Sequence, residues 1–212
     1  ASCFSGVVGA LQTSEQANPL AECDLIQALG LLRRDMQLVK SQEESGRSRV
    51  NLCAAAILMN RAMDSGAGGG GLGVVSSLAH SLDSRYPECS HGDAYDVLTA
   101  PGIAFNRDFN LAGQARLASI MGVMNGDMDD RRGADAVAAA VAETYRRLEM
   151  PSRLREVGVP EGGGQQIAVD SRTECGITRN VRPVKDLSLI HKRPWRPSGE
   201  GLFFFLLFSS LF

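Results

Sequence analysis

The spacing of apolar residues along this 212-residue chain constrains its fold more than any single motif does. Asn18 and Pro19 form a typical helix start, because Asn caps a first turn and Pro suits the first helical position. The apolar residues that follow stand three or four positions apart, as on one face of a helix: Leu25, Leu29, Leu32, Met36 and Val39. We therefore expect a helix from residue 19 to about residue 39.

The same spacing predicts helices over 50–63, 72–82 and 93–105, with Pro101 bending or ending the last of them. It also predicts helices in "LAGQARLASIMG" and "ADAVAAAVAETYRRLEM", a short one in "PSRLREVG" and a weaker one in "QQIAVDSRTE". Residues 86–90 and the "EGGG" segment read as loops, and no strand-like alternation appears. The prediction is an all-α, multi-helix bundle of about seven to nine helices.

The helix over 50–63 is rich in Ala and almost entirely apolar, which predicts a central, buried position. The glycines that follow it, Gly66 and 68–71, do not follow a strand. They are therefore not a dinucleotide-binding fingerprint, and we expect them to allow a sharp turn or a close helix approach.

Composition excludes some classes of partner. The net charge is −2 and charged residues make up 22% of the chain, so no basic field is present to hold a nucleic acid. The first residues lack the pattern of a signal peptide, no segment is long enough to span a membrane, and we expect a cytoplasmic protein, with mitochondria as the alternative. Residues 191–212 form a basic, then apolar tail, expected to be a disordered or non-native extension rather than a membrane-surface anchor.

The five cysteines are odd in number and form no CxxC pair. This argues against a disulfide framework or a zinc knuckle. We expect a reducing compartment, with most of these thiols buried and inert.

Two of the three histidines, His80 and His91, lie in "GLGVVSSLAHSLDSRYPECSHG". This segment is either a metal or catalytic site or a helix and loop that contain imidazoles. A substitute metal set of Cys89, His91 and Asp93 would share a face only if the segment were extended. His191 precedes two basic residues and reads as part of a solvated tail.

Other polar residues have simpler interpretations. The side chains of Asp83, Arg85 and Tyr86 are expected at a loop surface. The acidic loop "GDMDDRR" is expected to be a solvated turn whose carboxylates, Asp127, Asp129 and Asp130, could hold a cation weakly. It lacks the Gly and the distal Glu of an EF-hand loop.

Five segments occur in an order that resembles a known family: "ANPLAECDLIQALGLL", "NLCAAAILMNRAMDSGAGGGGLGVV", "LAHSLDSRYPECSHGDAYDVLTAPGIAFN", "MPSRLREVGVPEG" and "GITRNVRPVKDLSLI". Together they resemble the C-terminal, dehydroquinate-synthase-like helical domain of iron-containing (group III) alcohol dehydrogenases. The resemblance begins near residue 4 and assigns residues 1–190 to one such domain, followed by the tail.

The resemblance implies a chemistry. Family enzymes hold NAD(P) in a separate α/β domain, and a divalent iron or zinc ion on the helical domain polarises the oxygen of a small alcohol or aldehyde. The site residues of this sequence match only in part. His91 falls on a metal ligand, and His80 falls on a cleft residue that would act in catalysis as a proton relay. Ser76 stands where a third ligand is expected, and the cofactor-binding residues are unknown.

An Asp and a His that complete the family's ligand set are expected near residues 3–7, which read Cys, Phe, Ser, Gly and Val. This sequence also contains no NAD(P) domain. We therefore expect that neither Fe(II) or Zn(II) nor NAD(P) is bound stoichiometrically, and that the chain is a fragment or an inactive homologue. A complementing nucleotide-binding domain or a homo-oligomer would be its partner. The alternative is a helical interaction module without catalytic activity.

Overall fold

A computed structural model describes residues 1–13, 18–41, 46–68 and 72–184. Within these ranges the chain forms nine α-helices and no strand, which confirms the all-α prediction. The helices are α1 (Ser2–Leu11), α2 (Pro19–Lys40), α3 (Arg47–Ala62), α4 (Gly73–Arg85), α5 (His91–Asn106), α6 (Leu111–Ile120), α7 (Asp130–Arg147), α8 (Gly163–Asp170) and α9 (Cys175–Thr178). A π-helical turn, Met63–Ala67, extends α3, and the predicted tail 191–212 lies outside the described residues.

Side-chain caps fix where several helices begin. The Asn18 side chain accepts a hydrogen bond of 3.0 Å from the Ala21 N–H, which confirms the predicted start of α2. Ser90 caps α5 in the same way, by accepting from the Asp93 N–H at 3.1 Å. Helix α5 does not end at Pro101 but continues to Asn106.

Helix α1, which was not predicted, lies in the centre of the core. Its side chains Phe4, Val7 and Leu11 are fully buried. It packs against α2, α3, α5 and α6, and the Phe4 ring meets the Tyr145 ring edge-on at a centroid distance of 5.5 Å. A short segment whose few polar residues are serines has no charged face to reveal a helical period, so its structure depends on the neighbours that bury it.

Helix α3 was predicted to be central and buried, and this prediction is wrong. Its buried positions form a single stripe, Ser48, Ala55 and Ala62, whereas Val50 and Ile57 are each 67% exposed. The helix packs mainly on α2, where the Arg61 guanidinium holds the Asp24 carboxylate at 2.5–2.6 Å and keeps its pKa below the usual range. Contacts with α2, and smaller ones with α1, bury only one stripe of this helix, however apolar the rest of its surface is.

The cysteine prediction is also corrected. All five thiols are free, as expected, but Cys23, Cys53 and Cys175 are exposed and Cys3 is half-buried; Cys89 alone is buried. Three of these residues lie on helix faces that no other described element covers, and sequence composition does not report which face a helix buries.

Helices α4 and α5 pack closely because glycines stand at their contacts. A methyl group at Gly102 of α5 would lie 2.1 Å from Cγ2 of Val75 on α4. A methyl group at Gly73 would lie 2.2 Å from the carbonyl oxygen of Gly176 on α9. These contacts bring α4, α5 and α9 together around the residues discussed below. In the described part of the chain, no helix is long and apolar enough to cross a membrane.

A small polar cluster is buried where α5 meets α1 and α7. The Thr99 hydroxyl donates to the Tyr95 carbonyl oxygen at 2.5 Å, lies 2.8 Å from the Ser5 hydroxyl, and accepts from the Tyr145 hydroxyl at 3.4 Å. One turn before Thr99, the Asp96 side chain is buried, and among the described residues its Oδ1 has no hydrogen-bond partner. Burial raises the pKa of Asp96 to about 7; the nearby amino terminus opposes this rise and the Asp93 carboxylate adds to it.

Replacing Gly102 by Ala should lower the free energy of unfolding by about 1–3 kcal/mol, because the new methyl group would overlap Val75. Gly30 of α2 is the matched control, since a methyl group there meets nothing within 4 Å. Gly30→Ala should raise stability by about 0.5–1 kcal/mol, the usual gain from Ala inside a helix. Urea unfolding measures both; a stabilising Gly102→Ala would contradict the close packing of α4 on α5.

The raised pKa of Asp96 predicts a pH-dependent stability. The folded chain holds the Asp96 proton more tightly than the unfolded chain, so this contribution is complete below about pH 4 and is lost as the pH rises to about 7. Asp96→Asn should remove this dependence and stabilise the chain at pH 8 by about 1–3 kcal/mol. Asp64→Asn, at an exposed position of the π-helical turn, is the control. Equal pH profiles for wild type and Asp96→Asn would refute this account.

Candidate functional site

The candidate site lies between α4 and α5, which are joined by the turn over residues 86–90. Ser76 and His80 stand one turn apart on α4, and His91 and Tyr95 stand one turn apart on α5. Residues four positions apart project from one face of a helix. The two pairs therefore face each other across the α4–α5 contact.

His91 begins α5 with a half-exposed side chain that has a defined orientation. Its Nδ1 lies 2.6 Å from Oδ2 of Asp83, and its ring meets the Tyr95 ring edge-on at 5.0 Å. An ionised carboxylate can only accept, so Nδ1 carries the hydrogen and donates it. When the imidazole is neutral, Nε2 keeps a lone pair directed away from Asp83, which is the form a metal ligand or a base requires.

Asp83 was interpreted only as a loop-surface residue, and its contact with His91 was missed. The residue lies inside α4, three positions after His80, so it projects near the same face as that histidine. An acidic residue one turn from a candidate histidine was a usable signal. The sequence did not show that the turn over residues 86–90 folds His91 back onto this face.

His80 is more loosely held. Its side chain is 60% exposed, and its Nδ1 lies 3.7 Å from Oε2 of Glu174, beyond hydrogen-bonding distance. Its ring centroid is 6.0 Å from that of His91, in an edge-on arrangement. The structure thus brings His80 and His91 to one side of the α4–α5 pair, but they share no hydrogen bond.

Ser76 occupies the inner end of the same face. The Tyr95 hydroxyl donates to the Ser76 hydroxyl at 3.5 Å. Both side chains line a cavity of about 280 Å³, together with Ser5, Gly6 and Gly9 of α1. The segment in which the resemblance places an Asp and a His thus meets Ser76 at this cavity, and it contributes small residues there.

The alternative metal sets do not assemble. Within the described ranges, no three His, Cys, Asp or Glu side chains are placed to share an ion. This excludes two candidate sites: the set of Cys89, His91 and Asp93, and the acidic loop. The Cys89 thiol donates to the Ser90 carbonyl at 3.5 Å. Burial, followed by the Asp93 and Asp83 carboxylates, raises the pKa of Cys89 to about 11, so it is not a thiolate at neutral pH. In the acidic loop, Asp129 caps α7, and the third histidine, His191, lies outside the described residues.

These donors do not fit a catalytic divalent ion. Such a site needs about three or four protein ligands and one open position. His91 presents one suitable nitrogen, Ser76 is a neutral hydroxyl that Tyr95 contacts, and the α1 residues at the cavity carry no imidazole or carboxylate. The arrangement can orient an imidazole and enclose a small molecule, but it does not provide a coordination sphere.

The chain is similar in sequence to known enzymes. The chain is 28% identical over 148 residues to 1,3-propanediol dehydrogenase from Citrobacter freundii, covering 70% of this chain and 37% of that protein. It is 34% identical over 89 residues to lactaldehyde reductase from Escherichia coli strain K12, covering 42% of this chain and 23% of that enzyme. The matched segments thus cover well under half the length of these curated relatives.

Solved structures share the fold. A 1,3-propanediol oxidoreductase superposes with a TM-score of 0.76 at 21% identity, over 99% of this chain and 50% of its own. An alcohol dehydrogenase from Oenococcus oeni gives 0.77 at 20% identity, over 100% of this chain and 51% of its own. At such identities the likeness establishes the helical fold alone. A model of the family described as "Fe-containing alcohol dehydrogenase family, C-terminal" matches residues 6–190, and the chain therefore belongs to the iron-containing alcohol dehydrogenase family.

Proposed function

We propose that this chain is the helical, metal-binding domain of a member of the iron-containing alcohol dehydrogenase family, and that its metal site has lost most of its ligand side chains. On its own it neither oxidises alcohols nor reduces aldehydes. The observation that carries this proposal is Ser76. Its hydroxyl accepts a hydrogen bond from the Tyr95 hydroxyl beside the cavity, at the position where the family resemblance calls for an imidazole.

The loss is large in energetic terms. Strong structural zinc sites bind with about 10–16 kcal/mol, supplied by a full set of charged or imidazole ligands. One imidazole, even one oriented by Asp83, supplies a small part of this. The resemblance makes His91 the remaining ligand and His80 a proton relay, and both assignments are proposals.

The relatives suggest what a complete protein of this kind would do. By family resemblance, the substrate is a small alcohol or aldehyde, the cofactors are NAD(P) and Fe(II) or Zn(II), and the compartment is the cytoplasm. This chain would then act with a nucleotide-binding domain, either on another chain or within an oligomer. The α4–α5 face would supply the oriented imidazole of His91 and the proton-relay position of His80.

A second candidate is a helical module that binds another protein and has no chemistry of its own. The exposed face of α3 favours this candidate, because Val50 and Ile57 are both 67% exposed and lie two turns apart on the same face of that helix. Large exposed aliphatic side chains at helical spacing are typical of a surface that packs against a partner.

Elemental analysis of the purified chain after dialysis should show no stoichiometric iron or zinc. Anaerobic titration with Fe(II) and Zn(II) should give weak binding that changes little in His91→Ala, since one imidazole contributes little alone. No NAD(P)H-linked turnover of alcohols or aldehydes should be measurable. One tightly held metal per chain, lost in His91→Ala, would overturn the proposal.

Restoring a histidine at position 76 tests the same claim from the other side. Ser76→His adds an imidazole one turn before His80, to a site that already holds His80 and His91, so zinc affinity should rise roughly tenfold, which is about 1.4 kcal/mol. Turnover should still be absent. Ser119→His makes the same change at an exposed position of α6 and is the matched control. Equal gains in both variants would show that position 76 has no special relation to the site.

A further inference from the structure

The cavity beside Ser76 is large enough for a small organic molecule. Its volume is about 280 Å³, whereas a cavity of about 150 Å³ already accepts benzene. The cavity is lined by Gly6, Gly9, Leu72, Ser76 and Tyr95, so most of its surface consists of apolar side chains and backbone atoms. The small residues of α1 and the glycines near α4 leave this space, since no large side chain projects into it from those helices.

The opening of the cavity, as far as the described residues form it, carries a positively charged side chain. Cys175 and Arg179, at the two ends of α9, line it and are exposed, so they stand on its solvent side. Among the described residues that line the cavity, Arg179 is the one ionisable cation, and none is Asp or Glu. Nowhere in the described ranges does a side chain form an ion pair with the Arg179 guanidinium.

We propose that this cavity binds a short aliphatic monocarboxylate of roughly six carbons, a size suited to a small-ligand pocket. The carboxylate contacts the Arg179 guanidinium at the opening, and the alkyl chain lies along Leu72 toward Ser76. A carboxylate suits a guanidinium because it accepts two parallel hydrogen bonds. The inference rests on the proposed function in one respect: a metal ion beside Ser76 would occupy the same space.

Protection of Cys175 from alkylation tests this binding in the full chain. N-ethylmaleimide is applied in the presence of a chelator, with increasing hexanoate, and the labelled peptides are quantified by mass spectrometry. Hexanoate should slow the labelling of Cys175 and leave that of Cys23 and Cys53 unchanged, because these exposed thiols lie on α2 and α3, outside the cavity.

The ligand series isolates the charge. From the concentration dependence of protection, hexanoate should bind roughly threefold to fivefold more tightly than 1-hexanol, the range expected for a partly solvated ion pair. Hexylammonium, which repels the guanidinium, should protect least. Equal protection by all three ligands, or none by hexanoate, would overturn the proposal.

Variants separate the cavity from the charge. Arg179→Gln should reduce protection by hexanoate to that by 1-hexanol, and Arg179→Lys, which keeps the charge, should retain most of it. Arg155→Gln removes an exposed arginine outside the cavity and should change nothing. Ser76→Phe should abolish protection by filling the inner end, with folding checked by circular dichroism.

The metal content of the same sample, measured before chelation, separates the two proposals. Bound metal with no hexanoate protection refutes both. Protection in a metal-free sample supports both, and a metal-free sample without protection refutes only the carboxylate site. Protection in a sample that contained one metal per chain refutes the loss of the metal site and leaves the carboxylate site standing in the chelated protein.

Discussion

A buried pair of asparagines holds together the elements that form the candidate site. Asn106 ends α5, and Asn180 follows α9; their side chains exchange hydrogen bonds of 2.7 and 3.0 Å. The side-chain oxygen Oδ1 of Asn180 also accepts from the Val74 N–H at the start of α4, at 3.1 Å. The side-chain Nδ2 of Asn180 donates to the Arg182 backbone carbonyl at 2.9 Å. Buried amides left unpaired cost about 1–3 kcal/mol each, so this network stabilises one arrangement of three segments.

This network determines where the site side chains lie. It ties the beginning of α4 to the end of α5, while the turn over residues 86–90 joins their other ends. The face with Ser76 and His80 is thus held opposite the face with His91 and Tyr95. Gly102 against Val75 sets the distance between the helices. Hydrogen bonds and packing within the chain thus hold this arrangement.

Sequence reasoning recovered the features that have a local cause. The Asn18 cap and the stripe of buried leucines on α2 follow from residue types within a few positions of each other, and the structure confirms them. The family resemblance likewise rested on ordered local segments. For the same reason the quoted segments contain Asn106 and Asn180 but do not reveal their contact, which joins residues 74 positions apart.

The failures have a common origin in tertiary contacts. The burial of α1, the exposure of Val50 and Ile57 on α3, and the pairing of Asp83 with His91 all depend on which element lies opposite. Apolar content predicted that α3 is buried, yet its contacts with α2 and α1 leave most of its surface exposed. The contact of Ser76 with Tyr95 also required the structure, since the sequence identified only the absence of an imidazole.

The central claim is that packing and the asparagine network, rather than a bound ion, hold α4 against α5. Urea unfolding of the same preparation in chelator and in excess Zn(II) tests it most directly. The account predicts free energies of unfolding that agree within about 0.5 kcal/mol, because a ligand stabilises a fold only to the extent that it binds the folded state. A gain of more than about 3 kcal/mol at one zinc per chain would require a site occupied well above its dissociation constant and would contradict the account.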